Sequence, residues 1–336
     1  MGKCLVTKLN ASVSNSDILR LGEMRIWRDK VDSPTSGTQT FGIGVITPVT
    51  LEIVGNGYFT DKTLTANKGT VLTLPTGDND VWVSNTDAKV AILNKYAITR
   101  LTSYFYNQTS GQYSKNLHVD LSDLKYSPNL NFLKLDNSQV TGDIANFANK
   151  TALTGLNLGG TQITGDIASL SNLTLLATLN LGGTQVTGYI GKLANLTNIT
   201  NLNLGHTKVK GDIGGISNAT KLSIISLHTE NITGDLSKLP ASCYFISFAS
   251  NNSTVKPILN WTSRLSTANI FSIEGAPIVD NIDKMLQDLA QCKAAIPSSG
   301  ESWYKKITAT GTRTSASDAA VQTLQSKGYT VSITPA

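Results

Sequence analysis

Charge is scarce in this sequence of 336 residues. Asp, Glu, Lys and Arg make up 15% of it, against about 25% in ordinary globular proteins, and Asn, Thr, Ser and Gly take their place. We therefore expect a neutral, hydrogen-bonding surface. The net charge of +5 is spread along the chain without a cluster of Lys or Arg, and only six of the 28 basic residues are Arg. This distribution argues against a nucleic-acid partner.

Cysteine and long apolar runs are also scarce. The three cysteines, Cys4, Cys243 and Cys292, are odd in number and far apart. Their spacing indicates neither a disulfide framework nor a zinc site, and it favours a reducing site of synthesis. No run approaches the ~20 apolar residues of a membrane span, and residues 3–28 lack the apolar core of a secretory signal. We therefore expect no membrane span and no signal-directed export.

Histidine occurs only three times, at His118, His206 and His228. The sequence also has no Gly-rich phosphate loop, no nucleophile elbow and no paired His and Cys. Each of these motifs supports a common class of catalytic chemistry. We therefore expect no enzymatic activity, no cofactor and no bound metal ion.

What the sequence does contain is a repeat of 23 residues. TGDI occurs at residues 141–144 and 164–167, and altered copies follow at 187–190, 210–213 and 233–236. A fixed period of this size indicates a solenoid, in which stacked coils bury a shared core. The repeated glycines are Gly142, Gly165, Gly188, Gly211 and Gly234. The aliphatic positions form five columns, which begin at Leu130, Leu133, Leu135, Val140 and Ile144 and recur every 23 residues. We number the coils 1 to 5, starting at residues 130, 153, 176, 199 and 222.

The spacing L-x-x-L-x-L, followed by an aliphatic residue and then G-x-I, resembles the leucine-rich repeat family over about residues 117–250. In LNL (residues 156–158) the two leucines point to one side of a short strand and Asn157 to the other. Stacking then produces a parallel ladder, and the glycine permits a tight bend behind it. Many leucine-rich repeats have Asn where this chain has Ser138, Thr161, Thr184 and Thr207, whose hydroxyls can satisfy the same buried backbone groups. Glu230 departs from this column.

The predicted fold is multi-domain and β-rich. We expect a β-sandwich or barrel as an attachment module over residues 1–100, because β-branched runs alternate there with turn residues. A cap of the solenoid follows at 101–129, in which residues 116–124 form half a repeat and the Tyr-rich stretch 100–116 replaces the strand. An α/β leucine-rich-repeat solenoid occupies 130–250. A degenerate repeat and an α/β cap occupy 251–336, with a helix within 278–295 and a final strand, Ser-capped helix and strand.

The exposed side of the ladder is the candidate binding face. Its residues are Phe132, Lys134, Asp136, Asn157, Asn180, Asn201, Asn203, Ser226 and His228. One interpretation is a shallow groove, lined by amides, for sugar hydroxyls or an extended peptide. The other is a ladder of asparagines whose amides bond to one another and stiffen the coils. The second is favoured, because no Trp or Tyr lies there to anchor a partner.

A column of aspartates permits two further interpretations. Asp143, Asp166, Asp212 and Asp235 occupy one position in four coils. They could hold calcium between coils, or they could accept hydrogen bonds from backbone N–H groups of the turn. The second is favoured, since the column supplies too few oxygen ligands for calcium. His206 and His228 similarly suggest a metal site near Glu230, but solvated surface residues are the favoured interpretation.

The N-terminal segment carries a second resemblance. CLVTKLN (residues 4–10) and LGEMRI (21–26) are similar to the start of modules on structural proteins of bacteriophages and prophages. The corresponding attachment residues are Leu5, Val6, Leu9, Leu21, Met24, Ile26 and Trp27. The resemblance implies a virion structural protein, assembled in the cytoplasm of a bacterial host, as a head fibre, head decoration or tail-appended fibre.

Its implied partners are capsid or tail proteins, further copies of itself and a glycan or protein of the host surface. A bacterial surface or secreted adhesion protein with the same repeats is the alternative function. An enzyme or enzyme inhibitor is a third possibility. The missing signal argues against the second function, and the missing catalytic motifs argue against an enzyme.

Overall fold

The structure is a computed structural model. It describes residues 24–28, 39–45, 49–53, 59–61, 64–66, 71–74, 76–83, 89–92, 97–103, 106–107, 112–113, 117–125, 127–228, 232–249, 258–269, 272–275, 278–293 and 305–336. The chain divides into two compact units, Met1–Thr141 and Gly142–Ala336. The predicted domain boundaries stay predictions.

Short strands make up most of the first unit as described. They are β1 (Met24–Arg28), β2 (Gln39–Val45), β3 (Val49–Ile53), β4 (Phe59–Asp61), β5 (Leu64–Ala66), β6 (Val71–Leu74), β7 (Gly77–Val83), β8 (Lys89–Ile92), β9 (Ile98–Ser103), β10 (Tyr106–Asn107), β11 (Gln112–Tyr113), β12 (Leu117–Asp120) and β13 (Phe132–Lys134), with helix α1 (Leu121–Leu124) after β12. β12, β1, β8, β3 and β6 pair in that order, and β5, β4, β7, β2, β9 and β13 pair in a second sheet. The region is β-rich as expected, and the sandwich or barrel stays a prediction.

The junction with the repeats differs from the sequence interpretation. The strand of the first half-repeat is present as β9, which includes the first four residues of the Tyr-rich stretch. β9 pairs in parallel with β13, with Phe132 opposite Arg100. The partner lies 32 positions earlier rather than 23, so the hairpin β10–β11 lies in an insertion. In the second part of the half-repeat, Leu121 and Leu124 are fully buried, and the cap stays a prediction.

The second unit is a solenoid. Its first strand, β14, begins three residues before the unit boundary at Gly142. Its strands are β14 (Gln139–Asp143), β15 (Gly155–Asn157), β16 (Gln162–Thr164), β17 (Thr178–Asn180), β18 (Thr187–Tyr189), β19 (Asn201–Asn203), β20 (Lys208–Asp212), β21 (Ile224–His228), β22 (Ile232–Thr233), β23 (Phe245–Ala249), β24 (Ile258–Leu259), β25 (Ser272–Glu274), β26 (Ile278–Val279), β27 (Lys306–Thr310) and β28 (Thr330–Thr334). The helices among its described residues are α2 (Ile282–Gln291) and α3 (Asp318–Ser326).

Two parallel ladders run along the solenoid. The front ladder contains β15, β17, β19, β21, β23, β25, β27 and β28. Its strands pair at the repeat period in coils 2 to 5, so that Leu156, Leu179, Leu202 and Ile225 face one another. The back ladder contains β18, β20 and β22, whose paired residues are 21 positions apart, as in Tyr189 opposite Lys210. Each back strand is therefore shifted by two residues relative to the front ladder.

The core of the second unit consists of the predicted columns. Leu153, Leu156, Leu158, Ile163 and Ile167 are fully buried, and their equivalents in the next coils are at most 2% exposed. Each back strand leads into a 3-10 turn, such as Ile167–Leu170, that returns the chain to the front. Coils of this size cannot bury their apolar edge alone, so stacking supplies the stability.

An α/β cap follows the last coil. The predicted helix is confirmed as α2, with Ile282, Met285, Leu286 and Leu289 buried. The final strand, helix and strand are confirmed as β27, α3 and β28, and Gly328 has φ of 86° at the helix end. The predicted Ser cap is wrong: Ser317 lies at the N-cap position, but its hydroxyl donates to Asp283 Oδ1 at 2.6 Å. Tertiary contact thus displaced the local cap.

Candidate functional site

The middle row of the front ladder contains the candidate polar residues of the repeats. Strand register places Asn157, Asn180, Asn203 and Ser226 side by side, and all four are half-buried. Asn180 Nδ2 donates to Asn157 Oδ1 at 2.9 Å across the coils. The structure therefore brings together the four members of the predicted row that lie in coils 2 to 5.

Each asparagine also binds its own strand end. Asn180 Oδ1 accepts from the backbone N–H of Gly182 at 3.0 Å, and Asn203 Oδ1 accepts from Gly205 at the same distance. A Cβ at Gly182 would lie 2.7 Å from Asn203 Oδ1, so the glycine leaves room for the neighbouring amide. The side-chain amides of the row thus bond to the backbone of their own coils and, between Asn157 and Asn180, to each other. Which of the two interpretations describes the row stays a prediction.

Amide chemistry limits what this row can still bind. An amide oxygen accepts two hydrogen bonds and an amide nitrogen donates two. Asn157 Oδ1 accepts from Asn180 and, at 3.4 Å, from the N–H of Gly159. Asn180 Nδ2 retains one N–H after donating to Asn157. Asn180 Oδ1 and Asn203 Oδ1 each accept one backbone N–H and retain one acceptor site. The row therefore presents both donors and acceptors, which suits ligands rich in hydroxyl groups.

The flanks of the row are less regular. Asn201 lies beside Thr178 and Ile224 in the front ladder, and all three are half-buried. His228 ends β21 opposite Ala249 in the backbone register. Glu230 lies outside the described residues. The predicted proximity of His228 to Glu230 therefore stays a prediction.

Phe132, Lys134 and Asp136 belong to the first unit. The Arg100 guanidinium lies 5.0 Å from the centroid of the Phe132 ring, as in a cation–π contact. Lys134 is exposed. Asp136 is half-buried, and its Oδ2 accepts from Asn137 Nδ2 at 3.3 Å.

The aspartate column caps the 3-10 turns. The Oδ1 atoms of Asp143, Asp166, Asp212 and Asp235 accept from the backbone N–H two residues later, at 2.7 to 2.9 Å. Asp120 does the same for α1 at 2.8 Å and is a member that the sequence analysis missed, although it lies 23 residues before Asp143. Across the described ranges, no three His, Cys, Asp or Glu side chains are grouped as a metal site requires.

The hydroxyl column is confirmed as structural. Ser138, Thr161, Thr184 and Thr207 each donate to the carbonyl three residues earlier, at 2.6 to 2.8 Å, and all are buried. The preceding column, Asn137, Gly160, Gly183 and His206, has φ between 54° and 70°. This left-handed column was not expected from the sequence, although Asn and Gly are its usual residues. His206 is thus an exposed turn residue.

The predicted attachment segment is described only in part. Leu5, Val6, Leu9 and Leu21 lie outside the described residues. Met24, Ile26 and Trp27 belong to β1, whose backbone pairs with β8 on one side and β12 on the other. Both backbone edges of β1 are therefore engaged within the first unit.

A buried cluster behind coil 5 was not expected from the sequence. Arg264, 8% exposed, donates to the carbonyls of Leu239, Pro240, Cys243 and Asn269 at 3.0 to 3.3 Å. Burial raises the pKa of the Cys243 thiol to about 11 and lowers the pKa of Arg264. A thiol with a raised pKa is a poor nucleophile. This cluster therefore joins the last coil to the cap rather than providing a reactive centre.

No protein-family model matches the chain, and no curated protein sequence matches it. Among solved structures it is similar to the leucine-rich-repeat ectodomain of the receptor kinase SOBIR1 from Arabidopsis thaliana, with 22% identity, 37% of this chain and 74% of that chain covered, and a TM-score of 0.31. An internalin from Listeria monocytogenes matches with 19% identity, 73% and 85% coverage, and a TM-score of 0.35.

The leucine-rich-repeat ectodomain of the Arabidopsis thaliana receptor kinase GASSHO1/SCHENGEN3 matches with 16% identity and a TM-score of 0.39, over 64% of this chain and 25% of that chain. The fold assignment therefore depends on the register and columns of this chain itself. The repeats form a parallel-sheet solenoid consistent with the leucine-rich-repeat fold. In the described part of the chain, no helix has the length and apolarity to cross a bilayer.

Proposed function

We propose that this chain is a structural protein of a bacteriophage particle that acts by binding rather than by catalysis. Its N-terminal module attaches to capsid or tail proteins, and its repeats present a polar surface to a glycan or protein of the host. The attachment role is supported by the resemblance of CLVTKLN and LGEMRI to phage structural modules. The protein assembles in the host cytoplasm as a homo-oligomer.

The binding role is supported chiefly by one observation: the repeats hold their polar side chains in fixed rows. Asn157 and Asn180 are bonded to each other at 2.9 Å, so their free N–H groups are immobilised before any ligand arrives. A surface ordered in advance loses less entropy on binding. Two stacked ladders thus supply a rigid display scaffold.

Immunogold labelling of particles from the source culture tests the location. Antibody raised against the purified full-length chain should place gold on the capsid or tail. Particles from a strain lacking the coding sequence provide the matched control and should stay bare. Gold on the bacterial envelope with bare particles would contradict the proposal and favour a surface adhesion protein instead.

Attachment is tested by adding the purified full-length chain to particles that lack it. Recovery of the chain with sedimented particles is the expected result. A matched variant, Ile26→Asp, should sediment less if β1 faces the particle, provided that its circular dichroism is unchanged. Failure of the unmodified chain to associate would contradict the assigned attachment module.

A further inference from the structure

The back ladder departs from its repeat at one place. Coil 2 has Gln162, Thr164 and Asp166 at its exposed back positions, and the equivalents in coil 4 begin with Lys208 and Lys210. Coil 3 has Tyr189 where its neighbours have Asp, and Lys192 three residues later. We call Tyr189, Lys192, Lys208 and Lys210 the Tyr–Lys patch.

The 21-residue register brings Tyr189, Lys208 and Lys210 together, and Lys192 lies in the 3-10 turn that follows Tyr189. Tyr189 lies directly opposite Lys210 in the back ladder, and Thr187 lies opposite Lys208. Lys210 Nζ is 5.0 Å from the centroid of the Tyr189 ring. The ring also lies against Gly211, where an added Cβ would be 3.3 Å from its Cδ1 atom. The aromatic ring is thus held in place while 55% of Tyr189 stays exposed.

The tyrosine replaces a stabilising group. Asp166 and Asp212, in the coils on either side, cap their 3-10 turns with Oδ1. The turn after Tyr189 has no side-chain cap. A substitution that forgoes a cap in a regular array indicates selection for something other than stability.

The electrostatics of the patch favour an anion. Lys192, Lys208 and Lys210 are exposed, and within the described ranges no ion pair includes them. Asp166 and Asp212, at the position of Tyr189 in the neighbouring coils, each accept a backbone N–H with Oδ1 and keep their negative charge. The three lysines outnumber these two carboxylates. Exposed lysines on one surface attract negative groups, and Lys210 places one such charge 5.0 Å from the centroid of the Tyr189 ring.

The surroundings favour a sugar over a peptide. Thr164, Thr187 and Gln185 are exposed on or next to the back strands, and the exposed positions around the patch are mainly polar. A peptide usually needs an apolar pocket for an anchoring side chain, whereas a sugar ring can pack its C–H face on one aromatic ring and bond its hydroxyls to a flat polar surface. We propose that the Tyr–Lys patch binds an acidic polysaccharide, a chain of sugar rings that carry carboxylate or sulfate groups.

The test uses the purified full-length chain, so its outcome is independent of where the protein resides. Biolayer interferometry at physiological salt compares polygalacturonate and dextran sulfate with neutral dextran and with polyglutamate. Both acidic polysaccharides should bind at least tenfold more tightly than either of the others. Equal binding of polyglutamate, or no binding of the acidic polysaccharides, would overturn the proposal.

Variants that restore the repeat separate binding from folding. Tyr189→Asp recreates the cap and should raise the melting temperature while weakening polysaccharide binding at least tenfold. The double variant Lys208→Gln with Lys210→Thr uses the residues of coil 2 and should weaken binding by a similar factor. Lys221→Asn, which removes one exposed lysine elsewhere in coil 4, is the matched control and should retain affinity. Undiminished affinity in the first two variants would refute the site.

Discussion

Single residues of the repeat satisfy two requirements at once, and Gly165 is the clearest case. Its φ is 112°, and a Cβ there would lie 2.2 Å from Asp143 Oδ1 of the preceding coil. Both the positive φ of Gly165 and the close side chain of Asp143 therefore require glycine at this position.

Gly165→Ala should lower the free energy of unfolding by about 1–3 kcal/mol, because the alanine is strained and collides with the cap. The measurement is urea denaturation. Gly191→Ala is the matched control, since its nearest neighbour would be Gly215 Cα at 3.8 Å. Alanine occupies this position in coils 1 and 2, so the control should gain about 0.4–1 kcal/mol. Similar stabilities of the two variants would contradict this account.

Because Lys150 is buried, the free energy of unfolding should change with pH in the alkaline range. Lys150 occupies the column of Leu173 and Leu196 and is 3% exposed. Burial lowers its pKa from 10.5 to about 8. Between these values the unfolded chain binds a proton at Lys150 that the folded chain does not, so the contribution of Lys150 to stability should rise as pH increases from about 8 to 10.5.

Lys150→Leu should remove that rise, which corresponds to a change on the order of 3 kcal/mol. Urea denaturation across pH 7 to 10.5 measures it. Lys221→Leu, at an exposed position, is the control and should leave the slope unchanged. Parallel pH profiles for Lys150→Leu and the unmodified chain would refute the assignment.

At the scale of secondary structure, the asparagine row contributes to the stability of the front ladder. Asn180→Ala removes the acceptor of the Gly182 N–H and the donor to Asn157. We expect a loss of about 1–2 kcal/mol, because half-buried polar groups lose their partners. Asn201→Ala in the flank is the control, and thermal denaturation should show a smaller loss. Equal losses would indicate that the row contributes no more than the flank.

At the scale of the whole molecule, the end of the solenoid depends on Arg264. Terminal repeats open first when their cap is weakened. Arg264→Ala leaves four backbone carbonyls without their donor and should destabilise the cap by about 3 kcal/mol. Hydrogen exchange should accelerate in β23 and β25 more than in β15 and β17. Arg313→Ala, which removes an ion pair with the exposed Asp318, is the control. Uniform acceleration along the solenoid would contradict this order of opening.

The repeat could be predicted because its rules are local and recur. The aliphatic columns, the glycine bend and the capping aspartates each follow from residue type at a fixed offset. The strand β9 could not be predicted, because its partner β13 lies 32 positions away across an insertion. The role of Ser317 was missed for a similar reason: its hydroxyl bonds Asp283, which is distant in sequence.

The sequence by itself determined the period, the buried columns and the polarity of the exposed faces, since periodicity assigns each side chain to one side of a strand. Only the tertiary structure decided which polar atoms are already occupied. Asn157 and Asn180 bond across coils in the front ladder, where the spacing is 23 residues. Tyr189 lies opposite Lys210 in the back ladder, where paired residues are 21 positions apart. That difference between ladders arises from how coils stack, and no single coil contains it.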